Sequence, residues 1–557
     1  MNVLPAWKNY VTGSGIVVGV VDGGVFNHPD LNLDPNLTFR PFEDSTYDKS
    51  HGTNVAGVIA ARKNDIFGIG VAFEAIIADI RLLNNHLTPQ IMKDALTHRL
   101  DSIHIFSNSY TNYGNGMSIH HLHKEVEQAL QVGTSRGRGG QGTIYVWSTG
   151  NYGGDGFLRD YCTYEGLNNN PWVISVAGIA YDLSKLTSGE QCCSMFISAF
   201  TKEEGDHIHQ IKTTDGLNGS TPYFGRNSAA VPMVSGAIAL LLQANQNVGY
   251  RDVMHLLVKT ANSNLPFHPD DFVLNGAGLK TSVTFGFGLL DIGRLVQESR
   301  EWQNVPKEIY CENIFNQEQI PQTLNDRIQM SVSPSYCGIE ELEHVTIYLN
   351  VSSNRAGFLE ITLTSPCGTN TTIIPGRHID YRKVLTINVT SVQFWGENPS
   401  GMWILQVNDI VPVNGILFSW HIHMIGMASV RKLYSGQKCN SYYEETTSAS
   451  LTKNITFGNG IGSTVSGTKS TAERQTGTSF STNLLLSSYL STAVTHLPNK
   501  SADYTTISTT KKQNSDNLVF IIPLIILCVI LIIFLVLLVL YKLRKKKSFS
   551  LKMHEIR

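Results

Sequence analysis

At 557 residues the chain is too long for one ordinary domain. Its 43 Lys and Arg against 45 Asp and Glu leave a formal net charge of -2, which excludes the basic balance a nucleic-acid partner needs. Eight cysteines are too few for a scaffold of disulfides and fit a few bridges in a secreted domain.

Residues 1–300 alternate short apolar runs with helical patterns. Segments 15–22, 76–83, 102–109, 143–150 and 172–178 read as strands, and 51–61 and 228–244 as helices. Strands that are apolar on both faces and alternate with helices predict an α/β domain with a parallel sheet flanked by helices. Residues 301–432 change texture: alternating segments at 344–351, 357–365, 383–390, 401–409 and 415–425 predict an all-β jelly roll. Residues 433–517 read as a stalk; between 441 and 517, 30 of 77 residues are Ser or Thr, too polar to bury a core.

Residues 518–541 carry no charge over 24 positions, enough to cross a bilayer of about 30 Å as a helix. The tail, 542–557, begins with Lys542, Arg544, Lys545, Lys546 and Lys547. Positive flanks stay cytoplasmic, so a single-pass type I orientation is expected, with 1–517 lumenal or extracellular. Seven glycosylation sequons, at Asn36, Asn218, Asn350, Asn370, Asn388, Asn454 and Asn499, all fall on that side. Met1-Asn2-Val3-Leu4 has no basic or apolar region of a signal peptide, so a truncated amino terminus is expected.

Three polar residues punctuate the first domain. Asp22 closes a strand, His51 opens a helix in His51-Gly52-Thr53, and Ser228 opens an apolar helix in Asn227-Ser228-Ala229. A serine hydroxyl becomes nucleophilic when an imidazole takes its proton, and a buried carboxylate orients that imidazole. The order Asp, His, Ser is that of subtilisin. Asn151, in Thr149-Gly150-Asn151 after a strand, can donate to a developing oxyanion, a contact worth roughly 3–4 kcal/mol in the transition state.

From Trp7 through Asn27-His28-Pro29-Asp30-Leu31, His51-Gly52-Thr53 and the block 135–151, to Leu342-Glu343-His344-Val345 and Pro399-Ser400-Gly401-Met402-Trp403, the sequence resembles the kexin/furin branch of the subtilisin-like proteases. The resemblance covers about 1–430 and implies a peptidase domain followed by a jelly-roll P domain. It implies a calcium-dependent serine endopeptidase that processes proproteins after basic residues, a monomer anchored in the secretory pathway (Golgi, cell surface or endosome). The alternative is a catalytically impaired homologue serving as a membrane-bound binding protein.

By the same resemblance Asp22, His51 and Ser228 form the triad and Asn151 is the oxyanion donor. Asp48, Glu165, Ser109 and Gly139 are expected to contact substrate, Glu165 receiving its basic residue. The block 135–151 is expected to lead into an edge strand that pairs with substrate. One Ca²⁺ site is expected from Asp30 and Asn64 with the carbonyls of Ala61, Ile66 and Gly68, and a second from Asp160 and Glu190. Cys162–Cys192 and Cys311–Cys337 are the implied disulfides. The chain departs from the family at Gly23, Asn84 and Met92, where acids are usual, in the carboxylate-free loop Ser109–Gly116, and at Arg226, where the nucleophile turn has glycine.

Overall fold

The computed structural model describes residues 1–434 apart from 42–47, 67, 84–86, 155, 157, 204, 207, 266–267, 315–320, 324–327, 333–336, 410–414 and 429–432. The expected stalk from 435 on, the span 518–541, the basic tail, Asn84, Asn454 and Asn499 lie outside the described residues.

After helix α1 (Leu4–Lys8) the chain builds a six-stranded sheet from β1 (Val17–Asp22), β2 (Ile76–Arg81), β3 (Ile105–Asn108), β4 (Ile144–Ser148), β5 (Val173–Ile179) and β6 (Ile197–Phe200). The order is β2-β1-β3-β4-β5-β6 and every pairing is parallel. Helices α2 (Ser50–Ala60), α3 (Pro89–Leu96), α4 (Lys124–Arg136), α5 (Arg226–Ala244), α6 (Tyr250–Thr260) and α7 (Ile292–Ser299) complete the domain.

Side chains of a strand alternate between faces, and β1 shows the consequence. Val18 and Val20 join the core under α2, α5 and α6, while Val17 and Val21 join the core under α3 and α4. Both faces are covered, so β1 is apolar without alternation. The chain leaves β1 for β2 on one side and returns to β3 on the other. That switch opens a crevice at the carboxyl ends of β1 and β3, where α/β proteins bind ligands.

A hairpin of β7 (Ile211–Asp215) and β8 (Gly219–Phe224) leads into α5, and a shorter one joins β9 (Val273–Leu274) to β10 (Lys280–Thr281). Among the described residues only α5 is long and apolar enough to cross a membrane; it is buried as the central helix of the domain.

The second domain is all β: β11 (Ile309–Ile314), β12 (Gln322–Thr323), β13 (Ile328–Val332), β14 (Glu341–Ser352), β15 (Leu359–Thr364), β16 (Asn370–Ile374), β17 (Val384–Ser391), β18 (Gly401–Asp409) and β19 (Ile416–Met427). They form two antiparallel sheets, β11-β19-β14-β17 with β12 on β19, and β13-β18-β15-β16. In β15 and β17 buried and outward positions alternate, as a strand with one covered face requires. Cys162–Cys192 and Cys311–Cys337 are bonded as expected, Cys367 is also in a disulfide, and Cys193 is a buried free thiol.

The two domains share buried polar contacts. Arg251 of α6 forks onto Glu343 of β14, His255 donates from Nε2 to the same carboxylate at 2.8 Å, and the Tyr434 hydroxyl donates to His255 Nδ1 at 2.7 Å. Burial pushes the Glu343 carboxyl up, but Arg251 and His255 hold it well below the usual range. Removing one partner of such a buried pair strands the other charge, so these contacts tie the domains together.

Candidate active site

Asp22 ends β1 and is buried. One carboxylate oxygen accepts the Gly23 N–H at 2.8 Å, and the other lies 2.7 Å from His51 Nδ1. His51 is the second residue of α2. The helix can approach β1 because the next residue is Gly52, where a Cβ would meet the Gly24 carbonyl oxygen at 2.3 Å. Thr213 and Thr214 of β7 brace the helix by donating to the carbonyls of Asn54 and Thr53 at 2.7 and 2.8 Å. The Phe224 ring stands edge-on to the imidazole. Burial lowers the His51 pKa, but the charge and hydrogen bond of Asp22 and the charge of Asp48 outweigh it, and the net shift is upward. Asp48 itself is exposed and accepts the Ser50 N–H at 2.8 Å, which lowers its pKa.

Ser228 is the third residue of α5, so its hydroxyl sits at the positive end of that helix. Here it donates to the Ser109 carbonyl at 3.3 Å, and the Ser109 hydroxyl donates to the Ser228 carbonyl at 3.1 Å. The structure thus brings Ser109 against Ser228. Asn151 follows β4; its side-chain oxygen accepts the Asn227 N–H at 3.1 Å. That assignment leaves the amide NH₂ as a donor. Gly150, at φ 105°, has no room for a side chain, since a Cβ would lie 2.1 Å from Glu190 Oε1.

Asn227 is a residue the sequence reading missed. Fully buried, it donates to the Gly150 carbonyl and, at 3.3 Å, to the Thr149 hydroxyl, and accepts the Gly178 N–H at 2.6 Å. It therefore ties the Ser228 turn to the Asn151 segment. Its only signal in the sequence is a polar side chain between Arg226 and Ser228. Arg226 adopts φ 55°, a left-handed conformation costing a non-glycine residue about 1–2 kcal/mol. Its N–H reaches the Lys202 carbonyl at 2.9 Å and its carbonyl accepts the Thr201 hydroxyl at 2.5 Å, so the turn is kept despite the missing glycine.

Glu165 is buried and accepts the N–H and the side-chain NH₂ of Asn112, both at 3.1 Å, and the Leu167 N–H at 3.1 Å. Burial raises its pKa. With Asp160 and Glu190 it lines one small cavity. Gly139 is a correction. It lies in a turn ahead of the amino end of β4, whereas Asp22 and Asn151 are at carboxyl ends, so it is at the opposite edge of the sheet. The edge-strand expectation fails for the same block: β4 is hydrogen-bonded to β3 on one side and β5 on the other.

The two expected calcium sites differ. Asp30 is buried; one oxygen accepts from the Asn64 amide, and the other is buried without a hydrogen-bond partner. The stranded carboxylate oxygen fits a hard cation, and the Asn64 oxygen, which accepts the Ile66 N–H at 3.0 Å, would have to turn to join it. At Asp160 the residues do not fit. Oδ1 accepts the Tyr161 N–H at 2.9 Å and Arg377 Nη1 at 3.2 Å, and Oδ2 accepts the Asn115 and Gly116 N–H groups, both at 2.9 Å. Those four bonds use the carboxylate's capacity. Glu190 accepts the Tyr152 N–H at 3.2 Å, and burial and the charge of Asp160 push its pKa well up. Among the described residues no three His, Cys, Asp or Glu side chains converge as a metal-binding group.

Residues 13–288 match the Subtilase family, and residues 342–424 match the proprotein convertase P-domain. The chain is 33% identical over 453 residues to furin of Rattus norvegicus, covering 77% of this chain and 56% of that protein. It is 32% identical over 428 residues to furin-like protease 1, isoform 1-CRR, of Drosophila melanogaster, covering 73% of this chain and 38% of that protein. The chain thus spans about half the length, or less, of these relatives. A crystal structure of a serine protease of Aeromonas sobria superposes with a TM-score of 0.67 at 21% identity, over 76% of this chain and 90% of that one, which shows the shared fold.

Proposed function

Because the chain belongs to the subtilase family and carries a proprotein convertase P domain after its catalytic domain, we propose that it is a serine endopeptidase of the kexin/furin branch that cleaves proproteins after basic residues. The observation that carries this reading is the 2.7 Å contact between His51 Nδ1 and Asp22 at the sheet edge that also holds Ser228.

Asp22 fixes the tautomer that leaves His51 Nε2 free as a base. In this reading the Ser228 hydroxyl, which donates to the Ser109 carbonyl here, would have to leave it by a χ1 rotation to reach that nitrogen. Its oxygen then attacks the scissile carbonyl as His51 takes the proton. The Asn151 NH₂ and the Ser228 N–H would receive the oxyanion. His51 next protonates the leaving amine, and water repeats the sequence to free the acyl group. Glu165, beneath the expected primary pocket, would favour a cationic side chain, and Asp48 the one beside it. Asp30, Asn64 and the carbonyls of Ala61, Ile66 and Gly68 would hold one calcium ion, which supplies loop rigidity and no chemistry.

Residues 1–300 would be the peptidase domain and 301–432 the P domain. The uncharged segment 518–541 would anchor the protein with its catalytic domain lumenal. Asn36, Asn218, Asn370 and Asn388 are exposed, as glycan acceptors must be.

A fluorophosphonate probe tests the reading. Full chain, expressed with a furin-type pro-segment and loaded with calcium, should be labelled, and Ser228→Ala should lose the label. Folded protein without labelling would reject the peptidase. It would favour a membrane-bound binding protein, the reading to which the Ser228–Ser109 bond lends support.

A further inference from the structure

Arg377 belongs to the β-domain, in the loop after β16, yet it ends inside the first domain. It is 1% exposed, although a guanidinium in the interior is costly unless fully paired. Its two terminal nitrogens are fully engaged, while Nε is buried without a hydrogen-bond partner. Nη1 donates to Asp160 and, at 2.7 Å, to the Ser118 carbonyl. Nη2 donates to the Met117 carbonyl at 3.1 Å and to Asp380. The guanidinium centre lies 3.5 Å from the centroid of the Tyr164 ring, whose hydroxyl donates to the Pro375 carbonyl at 2.7 Å.

Three of these partners, Asp160, Ser118 and Tyr164, line the cavity that holds Glu165. Asn115 accepts the Met117 and Ser118 N–H groups, a turn that aims the carbonyls of 117 and 118 at the arginine. Asp160 grips the N–H groups of Asn115 and Gly116 from the other side. Tyr164 precedes Glu165 in the chain, and Asn112, three residues before Asn115, holds the Glu165 carboxylate. One planar fork thus joins segment 112–118 to segment 160–165. A divalent ion at Asp160 would have to displace it.

We propose that Arg377 is the resident cation at Asp160: a guanidinium delivered by the β-domain stands where a second calcium ion is expected, and it positions the walls of the primary specificity pocket. The pocket clause rests on the peptidase reading; the cation clause does not. Arg377 is a positioning residue, since it touches Asp160 and the pocket walls and not the reacting atoms.

The first measurement counts calcium in purified, folded full chain by mass spectrometry after dialysis. One tightly held ion is expected in the wild type and none in Asp30→Asn. A second ion that Asp160→Asn removes would overturn the proposal. The next uses Arg377→Lys, which keeps the charge and loses the fork. Fluorophosphonate labelling should persist, while KM for peptides with arginine before the scissile bond rises about tenfold with kcat nearly unchanged. Unchanged KM would overturn the positioning role. If the wild type itself is not labelled, the peptidase reading has failed, and the calcium count still decides between arginine and ion. If Arg377→Lys does not fold, the calcium count again decides.

Discussion

Asp30 and Asp160 start from the same chemistry and end differently. Both are buried aspartates in loops, and the family resemblance assigns calcium to both. At Asp30 the fold supplies an amide and leaves one oxygen without a donor. At Asp160 it supplies three backbone N–H groups and an arginine from the other domain. The residue type does not decide whether a carboxylate binds metal. What decides is whether the surrounding chain has already used its lone pairs.

The largest effect should come from Asp160→Asn. It leaves the Arg377 guanidinium with Asp380 as its remaining carboxylate, and losing a charged hydrogen-bond partner in the interior costs up to about 3 kcal/mol. Thermal melts should show this loss equally with calcium or chelator present; a loss confined to calcium buffer would return Asp160 to the metal-binding class. Asp30→Asn should do the reverse. The wild type should gain about 2.7 kcal/mol at a calcium concentration 100 times the Kd. The variant should lose that gain and match the wild type in chelator, as paired melts would report.

A third carboxylate gives the smallest effect. Asp48 is exposed, neither buried nor saturated, and acts on His51 through its charge alone. In the proposed mechanism His51 would act as a base only when neutral, and its pKa is raised. The rise of kcat/KM with pH should therefore be centred above the ordinary histidine value of about 6.5. Asp48→Asn removes one raising charge, so the limb should move to lower pH. A move to higher pH in the pH–rate profile would contradict the geometry.

Much of this molecule was legible in the amino-acid sequence. The five strands read in the first domain are β1 to β5, and the two helices are α2 and α5. Short unbroken apolar runs such as Val17–Val21, rich in β-branched residues and bounded by turn residues, read as strands covered on both faces. The β segments read from 344 to 425 are β14, β15, β17, β18 and β19, because one-sided burial writes an alternating pattern. Strand β6 escaped notice, being four residues long and following a disulfide-bonded turn. The β7–β8 hairpin did too, since its polar, half-buried residues carry no clear period.

The sequence alone determined the chemistry available: a carboxylate, an imidazole, a hydroxyl and an amide, each where a strand ends or a helix begins. Tertiary structure alone decided how those groups and the other acids are used. It put Asn227 between Ser228 and Asn151, turned Ser228 toward Ser109, sent Gly139 to the far edge and aimed Arg377 at Asp160. The reason is that hydrogen-bond saturation is a property of neighbours in space. Arg377 and Asp160 are 217 residues apart, and no local pattern records their meeting.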